Sequence, residues 1–428
     1  MKIVLVQPAG NSLFSAPPLG LGYVAAVLKQ RGFDVEVLDL NVEPSALDEF
    51  LSVERPSVVG VSCSIGNARQ AFEVAWKVKA CFPGCFVVVG GPYPSIMGEG
   101  LLVRHSDVDA AVIGEGESTI VELFQRFQNG QGLCNVDGLV FRDGKKVKRN
   151  PLRLPVEPLD SLPFPARENL PMQLYGENKG VISTSRGCPF QCVFCSRSVF
   201  GRKWRGHSPE YVLAEIEHLI RRYGVSCVSF LDDNFAFGLE RAEKILDGII
   251  ARKWKLGLYF WNGIRVDSVT EELLQKMKRA GCTTINYGVE SVDSDVLANI
   301  RKGISLDQVE KAVKLTREVG IKANVFLMVG NPCDTVKIFE KIKNFVERTK
   351  VDGVHVSMAT PIPDTELWSW VEKNGHWLSY DRDELLDWPI DDVADAYPVF
   401  ETSDFTAEER IQAYRKITQF FSRKGLLV

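Results

Sequence analysis

The chain has 428 residues, 45% of them apolar and 25% charged, with a formal net charge of −4. That length suits two or three domains, and the composition has the balance of a folded protein with material for separate cores. Neither the charge nor its distribution asks for nucleic acid or an anionic membrane, and no apolar run approaches a spanning helix, so no nucleic-acid partner and no membrane span are expected.

The N-terminal apolar run stops at Pro8, too short for a signal peptide, and ten cysteines in a chain of this size are not a secreted disulfide framework. The expected location is cytoplasmic. In chain order, residues 2–7 form a short strand rich in Ile and Val. A loop at Pro17-Pro18-Leu19-Gly20 leads to a helix over 21–32 that ends on a glycine. Strands follow over 35–40, 57–62, 86–89 and 110–113, with a helix over 69–81. Two of these strands run into Gly90-Gly91-Pro92 and Gly114-Glu115-Gly116. Strands alternating with helices predict a parallel sheet covered on both faces. Residues 145–165 contain five prolines and read as a hairpin followed by an interdomain linker.

A second rhythm begins at Gly180. Strands are expected over 181–186, 227–231, 258–261, 284–288, 323–329 and 353–359. Amphipathic helices separate them, among them 209–223, 240–253 and 305–319. Such βα units suit a partial barrel, with chemistry at the C-terminal ends of its strands. The last part holds Trp368, Trp370, Trp377, Tyr380, Trp388 and Tyr397, then a helix over 406–424. These aromatics could line a substrate pocket or plug the barrel's open side. The expected architecture is therefore α/β. A Rossmann-like doubly wound parallel sheet (1–145) and a linker (146–175) precede a partial (β/α)6 TIM-type barrel (176–365) and a small helical C-terminal extension (366–428).

The most informative segment is Ser183-Thr-Ser-Arg-Gly-Cys188-Pro-Phe-Gln-Cys192-Val-Phe194-Cys195, a Cys-x3-Cys-x2-Cys spacing in a loop after a predicted strand. Thiolates are the ligands of iron–sulfur clusters, and a cuboidal cluster normally takes about four. Three from one loop leave one iron for an exchangeable group. The competing reading is structural zinc, which needs a fourth Cys or His; His207 is the nearest histidine. Three unrelated buried thiols are the remaining alternative.

The triplet, with Phe194 before its last cysteine, resembles the signature of the radical SAM superfamily, over about residues 180–363. The resemblance implies a 4Fe-4S cluster on Cys188, Cys192 and Cys195, with S-adenosylmethionine (SAM) on the fourth iron through its amino and carboxylate groups. One electron then splits the sulfonium into methionine and a 5′-deoxyadenosyl radical that abstracts hydrogen from a substrate. It also puts Phe194 near the adenine. At the strand ends, Asp232 or Asp233 could accept from the SAM ammonium, or could serve as turn and cap residues. Arg265 could pair with the SAM carboxylate, or form a surface salt bridge. Glu290 and Ser291, in Tyr287-Gly-Val-Glu-Ser, resemble a SAM-contacting segment of the superfamily; Glu290 could instead open a helix. Gly330 allows close backbone approach to the cofactor, and Thr360–Thr365 is a similar strand-end loop.

The N-terminal series Pro17-Pro18-Leu-Gly20-Leu-Gly22, Gly32-x-x-Val35-x-Val-x-Asp39, Val-Gly60-Val-Ser62, Gly90-Gly91-Pro92 and Gly114-Glu115-Gly116-Glu117 resembles the cobalamin-binding domain found ahead of many radical SAM enzymes. Ser62, Ser64, Gly90 and Gly91 leave room at a sheet edge for a large flat ligand. Asn11, Pro92, Gly114 and Glu115 complete the candidate cobalamin set. The chain lacks a dinucleotide fingerprint after the first strand, which disfavours NAD. It also departs from the family's cobalt-ligating pattern: Gln7-Pro-Ala-Gly10-Asn11-Ser12 has no histidine, and His105 does not fit the position. The expected function is cobalamin-dependent methylation of an unactivated carbon in a small molecule, natural-product or lipid intermediate. The alternative is a radical cyclase or oxidoreductase without methyl transfer. A third reading is a sensor that binds cobalamin or a cluster without turnover. Methylthio transfer to RNA would need a second cluster, and Cys63, Cys81, Cys85 and Cys134 are not arranged for one. The expected partners are the substrate and a low-potential electron donor such as flavodoxin or ferredoxin.

Overall fold

A computed structural model describes residues 1–10, 15–378 and 397–428. They form two compact units, one built on residues 1–181 with 198–201 and the other on residues 182–197, 202–378 and 397–428.

The first unit contains β1 (Lys2–Gln7), α1 (Leu19–Gln30), β2 (Asp34–Asp39), α2 (Ala46–Val53), β3 (Val58–Ser62), α3 (Ala68–Cys81), β4 (Phe86–Gly90), α4 (Pro92–Met97), α5 (Glu99–Arg104), β5 (Ala110–Val112), α6 (Glu117–Gln128), β6 (Leu139–Asp143) and β7 (Lys146–Arg149). Its sheet runs β2-β1-β3-β4-β5-β6-β7. The first five strands are parallel, and their apolar runs are buried on both faces: Ile3 to Val6 and Val87 to Val89 are each at most 2% exposed. The strand order reverses at β1, between β2 and β3. Open sheets of this kind bind ligands at the C-terminal ends of the strands beside such a reversal.

The sheet is dominated by parallel strands, as expected. The hairpin β6–β7 adds two antiparallel strands on the β5 side. Its turn contains Gly144 at φ +60°, a left-handed conformation that glycine adopts without strain. Edge strand β7 reads Lys-Val-Lys-Arg, and its charges discourage pairing with another chain. Beyond it, the segment 166–180 packs back on the same unit. The Ala166 amide donates to the Gly22 carbonyl at 2.9 Å, and Asn169 donates to the Val35 carbonyl at 2.9 Å.

The second unit follows with β8 (Val181–Ile182), which starts at the boundary, β9 (Ser185–Arg186), β10 (Arg205–Gly206), α7 (Pro209–Tyr223), β11 (Cys227–Phe230), α8 (Leu239–Ala251), β12 (Gly257–Phe260), α9 (Glu271–Ala280), β13 (Thr284–Glu290), α10 (Ser294–Asn299), α11 (Leu306–Glu318), β14 (Lys322–Val329), α12 (Ile338–Thr349), β15 (Gly353–Met358), α13 (Glu366–Asn374), β16 (His376–Trp377), β17 (Phe400–Glu401) and α14 (Ala407–Lys424). The sheets β8-β11-β12 and β13-β14-β15 are joined by single bridges, Leu258 to Cys282 and Ile264 to Tyr287, into a partial barrel. The layer between its strands and helices is an apolar core, in which the Phe230 and Phe260 rings stack at 4.9 Å. Val354 bridges Leu427, so the end of the chain covers the β15 edge.

Local signals explain where the outer helices start and stop. Ser208 caps α7 by accepting from the Tyr211 amide, Pro209 opens the helix, and Gly224 ends it in the left-handed region. A cap of this type is worth about 1 kcal/mol. Ser305 with Gln308 and Thr406 with Glu409 form reciprocal capping boxes on α11 and α14. The strand expected over 181–186 divides in two. Thr184 is drawn toward Asp232, and β9 pairs antiparallel with β10 instead of continuing β8. Among the described residues no helix is long and apolar enough to cross a membrane.

Candidate functional site

The cysteine loop lies after β9. Hydrogen bonds fix its backbone: the Val193 amide donates to the Ile300 carbonyl at 3.0 Å, and the Val193 carbonyl accepts from the Leu367 amide at 2.9 Å. Arg197 donates to the Phe190 and Cys192 carbonyls. Cys192 is buried, Cys188 half-buried and Cys195 at the surface. The Cys188 and Cys195 thiols each feel the charge of a neighbouring cysteine. Crowding by the surrounding protein pushes Cys195 up to about 11, with Cys192 and Cys188 adding to the rise and Arg197 opposing it. Cys188 is raised by the same main cause.

The side chains are not closed on a common point, for among the described residues no three His, Cys, Asp or Glu groups are gathered tightly enough to hold a metal ion. The donor set nonetheless fits an iron–sulfur cluster chemically, as three soft sulfur donors on one anchored loop. His207, the candidate fourth ligand for zinc, stacks on Tyr211 at 4.0 Å instead.

The strand ends around this loop carry the polar residues expected there, engaged mainly with one another. Asp232, 3% exposed, accepts from the Thr184 amide at 2.6 Å, from the Thr184 hydroxyl, and from the Ser185 hydroxyl at 2.8 Å. It ties down the strand that leads into the cysteine loop, which is a turn-holding duty. Burial raises its carboxyl above the usual range, against the Thr184 hydrogen bonds and the Arg241 charge. Asp233 faces solvent. Crowding and the Asp232 charge push its carboxyl up, against a hydrogen bond from the Gly187 amide.

Arg265 is buried and forms a two-pronged pair with Asp267, at 3.0 and 2.8 Å. It also donates to the Lys302 carbonyl at 2.9 Å and lies 3.6 Å over the Phe190 ring, inside the cysteine loop. Glu290 sits at φ +69°, in a register shift of β13. A non-glycine residue held there is strained, and such strain concentrates at ligand sites. Its carboxylate accepts from the Lys302 ammonium at 2.8 Å, and both side chains are nearly buried. Ser291 is buried and accepts from the Asp293 amide.

Lys302 was not singled out by the sequence reading, and no local pattern marks it. Its importance comes from the fold, which sets it against Glu290 and 5.8 Å from the Phe194 ring. Gly330, at φ +91°, donates to Asp334 and accepts from Arg410; a Cβ there would meet the Arg410 guanidinium at 2.7 Å. Thr365 caps α13 by accepting from the Trp368 amide. Of the aromatic tail, Trp368 and Trp377 pack at 4.4 Å. Tyr380 and Trp388 lie outside the described residues.

In the first unit the candidate residues line the C-terminal edge of the sheet. Gly91, at φ +115°, is the position that requires glycine: a Cβ would come within 2.8 Å of the Cys63 carbonyl oxygen. Ser95 accepts from the Gly114 amide at 2.9 Å and donates to the Gly91 carbonyl at 2.8 Å, lacing the ends of β4 and β5 together. Ser62 ends β3, and Ser64 forms a capping box with Asn67. Pro92 opens α4. Glu115 is buried and accepts from the Val156 amide at 2.9 Å, so one carboxylate oxygen is committed to the backbone of the following segment. Asn11 lies outside the described residues. The small residues and close backbone approaches fit a broad ligand.

The radical SAM superfamily matches residues 182–346, and the B12 binding domain family matches residues 8–124. An uncharacterized methyltransferase of Pyrococcus horikoshii is 33% identical over 442 aligned positions, covering 100% of this chain and 94% of the relative. Hopanoid C-3 methylase of Methylococcus capsulatus is 30% identical, covering 86% of this chain and 72% of the relative. The solved structure of the methyltransferase TsrM from Kitasatospora setae, with cobalamin and a [4Fe-4S] cluster bound, has the same fold. Its TM-score is 0.76 at 19% identity, over 89% of this chain and 77% of that one. The cofactors that go with the two matched families are a 4Fe-4S cluster, SAM and cobalamin. This chain is a radical SAM superfamily enzyme that carries a B12-binding domain ahead of its radical SAM domain.

Proposed function

We propose that this enzyme is a cobalamin-dependent methyltransferase acting on an unactivated carbon of a small molecule, with Cys188, Cys192 and Cys195 as the cluster's thiolate ligands. The observation that carries the reading is one chain holding both an anchored three-thiol loop at a barrel's strand ends and a glycine- and serine-lined sheet edge. Relatives named as methyltransferases support it.

When bound, the cluster supplies the electron that splits SAM and the cobalamin carries the methyl group, the hard chemistry that cofactors bring to such enzymes. The chain's own residues bind and orient. Glu290 and Lys302 are a nearly buried pair of opposite charges, matched to the ammonium and carboxylate of a zwitterion such as the methionyl end of SAM. The strained Glu290 backbone aims that carboxylate. Arg265 braces the cysteine loop through Phe190, while Asp232 fixes the strand before it. Phe194 and Gly330 would lie toward the adenine, and Asp233 and Ser291 would serve SAM as further polar groups at the strand ends. Ser62, Ser64, Gly90, Gly91, Pro92, Gly114 and Glu115, with Asn11, take cobalamin.

In this reading 1–145 is the cobalamin domain, 146–175 the linker, 176–365 the radical SAM domain and 366–428 the extension. A low-potential donor such as flavodoxin or ferredoxin supplies electrons in the cytoplasm. The test is anaerobic turnover with methyl-labelled SAM. 5′-Deoxyadenosine together with label in a product supports the proposal; 5′-deoxyadenosine with no label in any product contradicts methyl transfer and favours the cyclase or oxidoreductase alternative.

A further inference from the structure

Arg265 follows β12 and is buried, its backbone held beside β13 by the Ile264 amide, which donates to the Asn286 carbonyl at 2.8 Å. A buried guanidinium is costly unless its N–H groups are satisfied. Here every nitrogen donates to the protein. Nε and one terminal nitrogen reach Asp267, at 3.0 and 2.8 Å, and the other terminal nitrogen reaches the Lys302 carbonyl at 2.9 Å. One face of the plane is covered as well, by the Phe190 ring at 3.6 Å. These bonds use the fork that a direct pairing with the SAM carboxylate would need.

The turn after α10 carries the other half of the arrangement. Ile300 is wholly buried, and its carbonyl accepts from the Val193 amide at 3.0 Å, between the second and third cysteines. Arg301 stands at φ +50°, a conformation that a non-glycine residue keeps only when its surroundings enforce it, and its guanidinium pairs with Glu366 at 2.7 Å. The neighbour of Glu366, Leu367, donates its amide to the Val193 carbonyl at 2.9 Å. Lys302 is tied in three ways. Its amide donates to the Leu297 carbonyl at 3.0 Å, its carbonyl accepts from Arg265 at 2.9 Å, and its ammonium donates to Glu290 at 2.8 Å. This turn therefore holds the middle of the cysteine loop with its backbone and the Glu290 carboxylate with a side chain. Arg265 grips the turn and the Phe190 end of the loop together.

We propose that Arg265 is a positioning residue for SAM at the cluster: with residues 300–302 it forms a brace that sets the cysteine loop in register with the Glu290–Lys302 pair. The proposal rests on the cluster and SAM reading above. A ligand that meets both the open iron and the ion pair needs the two in fixed register, so loosening the brace weakens SAM without removing a group that touches it. Three roles give three patterns. A brace, once cut, loosens the loop and weakens SAM. A direct SAM ligand weakens SAM and leaves the loop as it was. A group that serves only stability loosens the whole unit and leaves SAM affinity in the surviving fold unchanged.

The experiment takes the full-length protein in two states. In the metal-free, SAM-free state, amide hydrogen exchange is followed across the cysteine loop, where the Val193 amide reports its bond to Ile300. After reconstitution with iron and sulfide, SAM affinity is measured by equilibrium dialysis. Arg265→Met is expected to speed exchange over residues 189–197 by about tenfold, to leave exchange in α7 and α12 unchanged, and to weaken SAM binding by a similar factor. Arg265→Lys keeps the cation over Phe190 but not the fork, and is expected to fall between Arg265→Met and wild type in both measurements. Arg317→Met removes another arginine–carboxylate pair, with Asp352, from the outer helix α11 and is expected to match wild type in both. Loop exchange at the wild-type rate in Arg265→Met overturns the proposal, as does faster exchange spread through α7 and α12, or a loosened loop with wild-type SAM affinity. A wild-type protein that takes up no iron overturns the cluster reading instead, and the metal-free comparison still decides whether the brace exists. If Arg265→Met does not fold, Phe190→Leu, which removes only the ring under the guanidinium, decides by the same two measurements.

Discussion

The two strand-end edges solve the ligand problem differently. The sheet edge of the first unit is made of small residues and laced backbone, with Gly91 against the Cys63 carbonyl and Ser95 bridging two loops. The barrel edge of the second unit is made of charged side chains that hold one another: Asp232 with Thr184, Arg265 with Asp267, Glu290 with Lys302. The first edge is shaped by what is missing, the second by charges already paired. Substitutions should therefore act by filling space at one edge and by stranding charge at the other.

The largest effect is expected where neither compensation exists. Replacing Cys188, Cys192 or Cys195 by Ala should remove the iron and abolish 5′-deoxyadenosine formation while the far-ultraviolet circular dichroism stays native. Retained iron in all three would break the barrel side of the comparison. Next comes the buried ion pair. Lys302→Met leaves Glu290 buried without its partner, which costs roughly 3–5 kcal/mol when one member of such a pair is lost. The double variant Glu290→Gln with Lys302→Met should recover much of that stability in denaturant unfolding yet bind SAM poorly. Full recovery of SAM binding would show that the pair serves only the fold.

A smaller effect is expected at the sheet edge. Gly91→Ala puts a Cβ against the Cys63 carbonyl in a left-handed conformation, a strain of about 1–3 kcal/mol. It should lower cobalamin retention with iron content unchanged; loss of iron instead would contradict the division of labour between the edges.

The smallest is a pH effect in the β14 loop. Burial pushes Asp334 up to about 7, against hydrogen bonds from the Asn331 and Gly330 amides and the Arg410 charge. A carboxyl raised in the folded state binds more protons there than when unfolded. Its stabilising protonation is therefore lost as pH rises from about 4 through about 7. The melting temperature should fall by a few degrees over that window, and Asp334→Asn should flatten the slope.

Much of this was legible in the sequence, because parallel strands buried on both faces announce themselves as apolar runs and because Cys-x3-Cys-x2-Cys is a local spacing. The strand-end residues Asp232, Arg265, Glu290 and Gly330 were legible as candidates, since each follows a recognisable strand. Their partners were not. Lys302 reaches Glu290 only after α10 folds back, and Tyr175 meets Asp39 across 136 residues of sequence. The hairpin was legible only in part: residues 145–165 read as a hairpin, but its first strand, β6, lies upstream at 139–143, and which strand it joins is decided by pairing. The break between β8 and β9 depends on Asp232, which lies 48 residues downstream of Thr184.

The central claim is that one chain holds both redox-active cofactors, and anaerobic reconstitution with iron, sulfide and hydroxocobalamin followed by metal counting tests it most directly. The account predicts about four irons and about one cobalt per chain. Zinc in place of iron, or iron without cobalt, would contradict it.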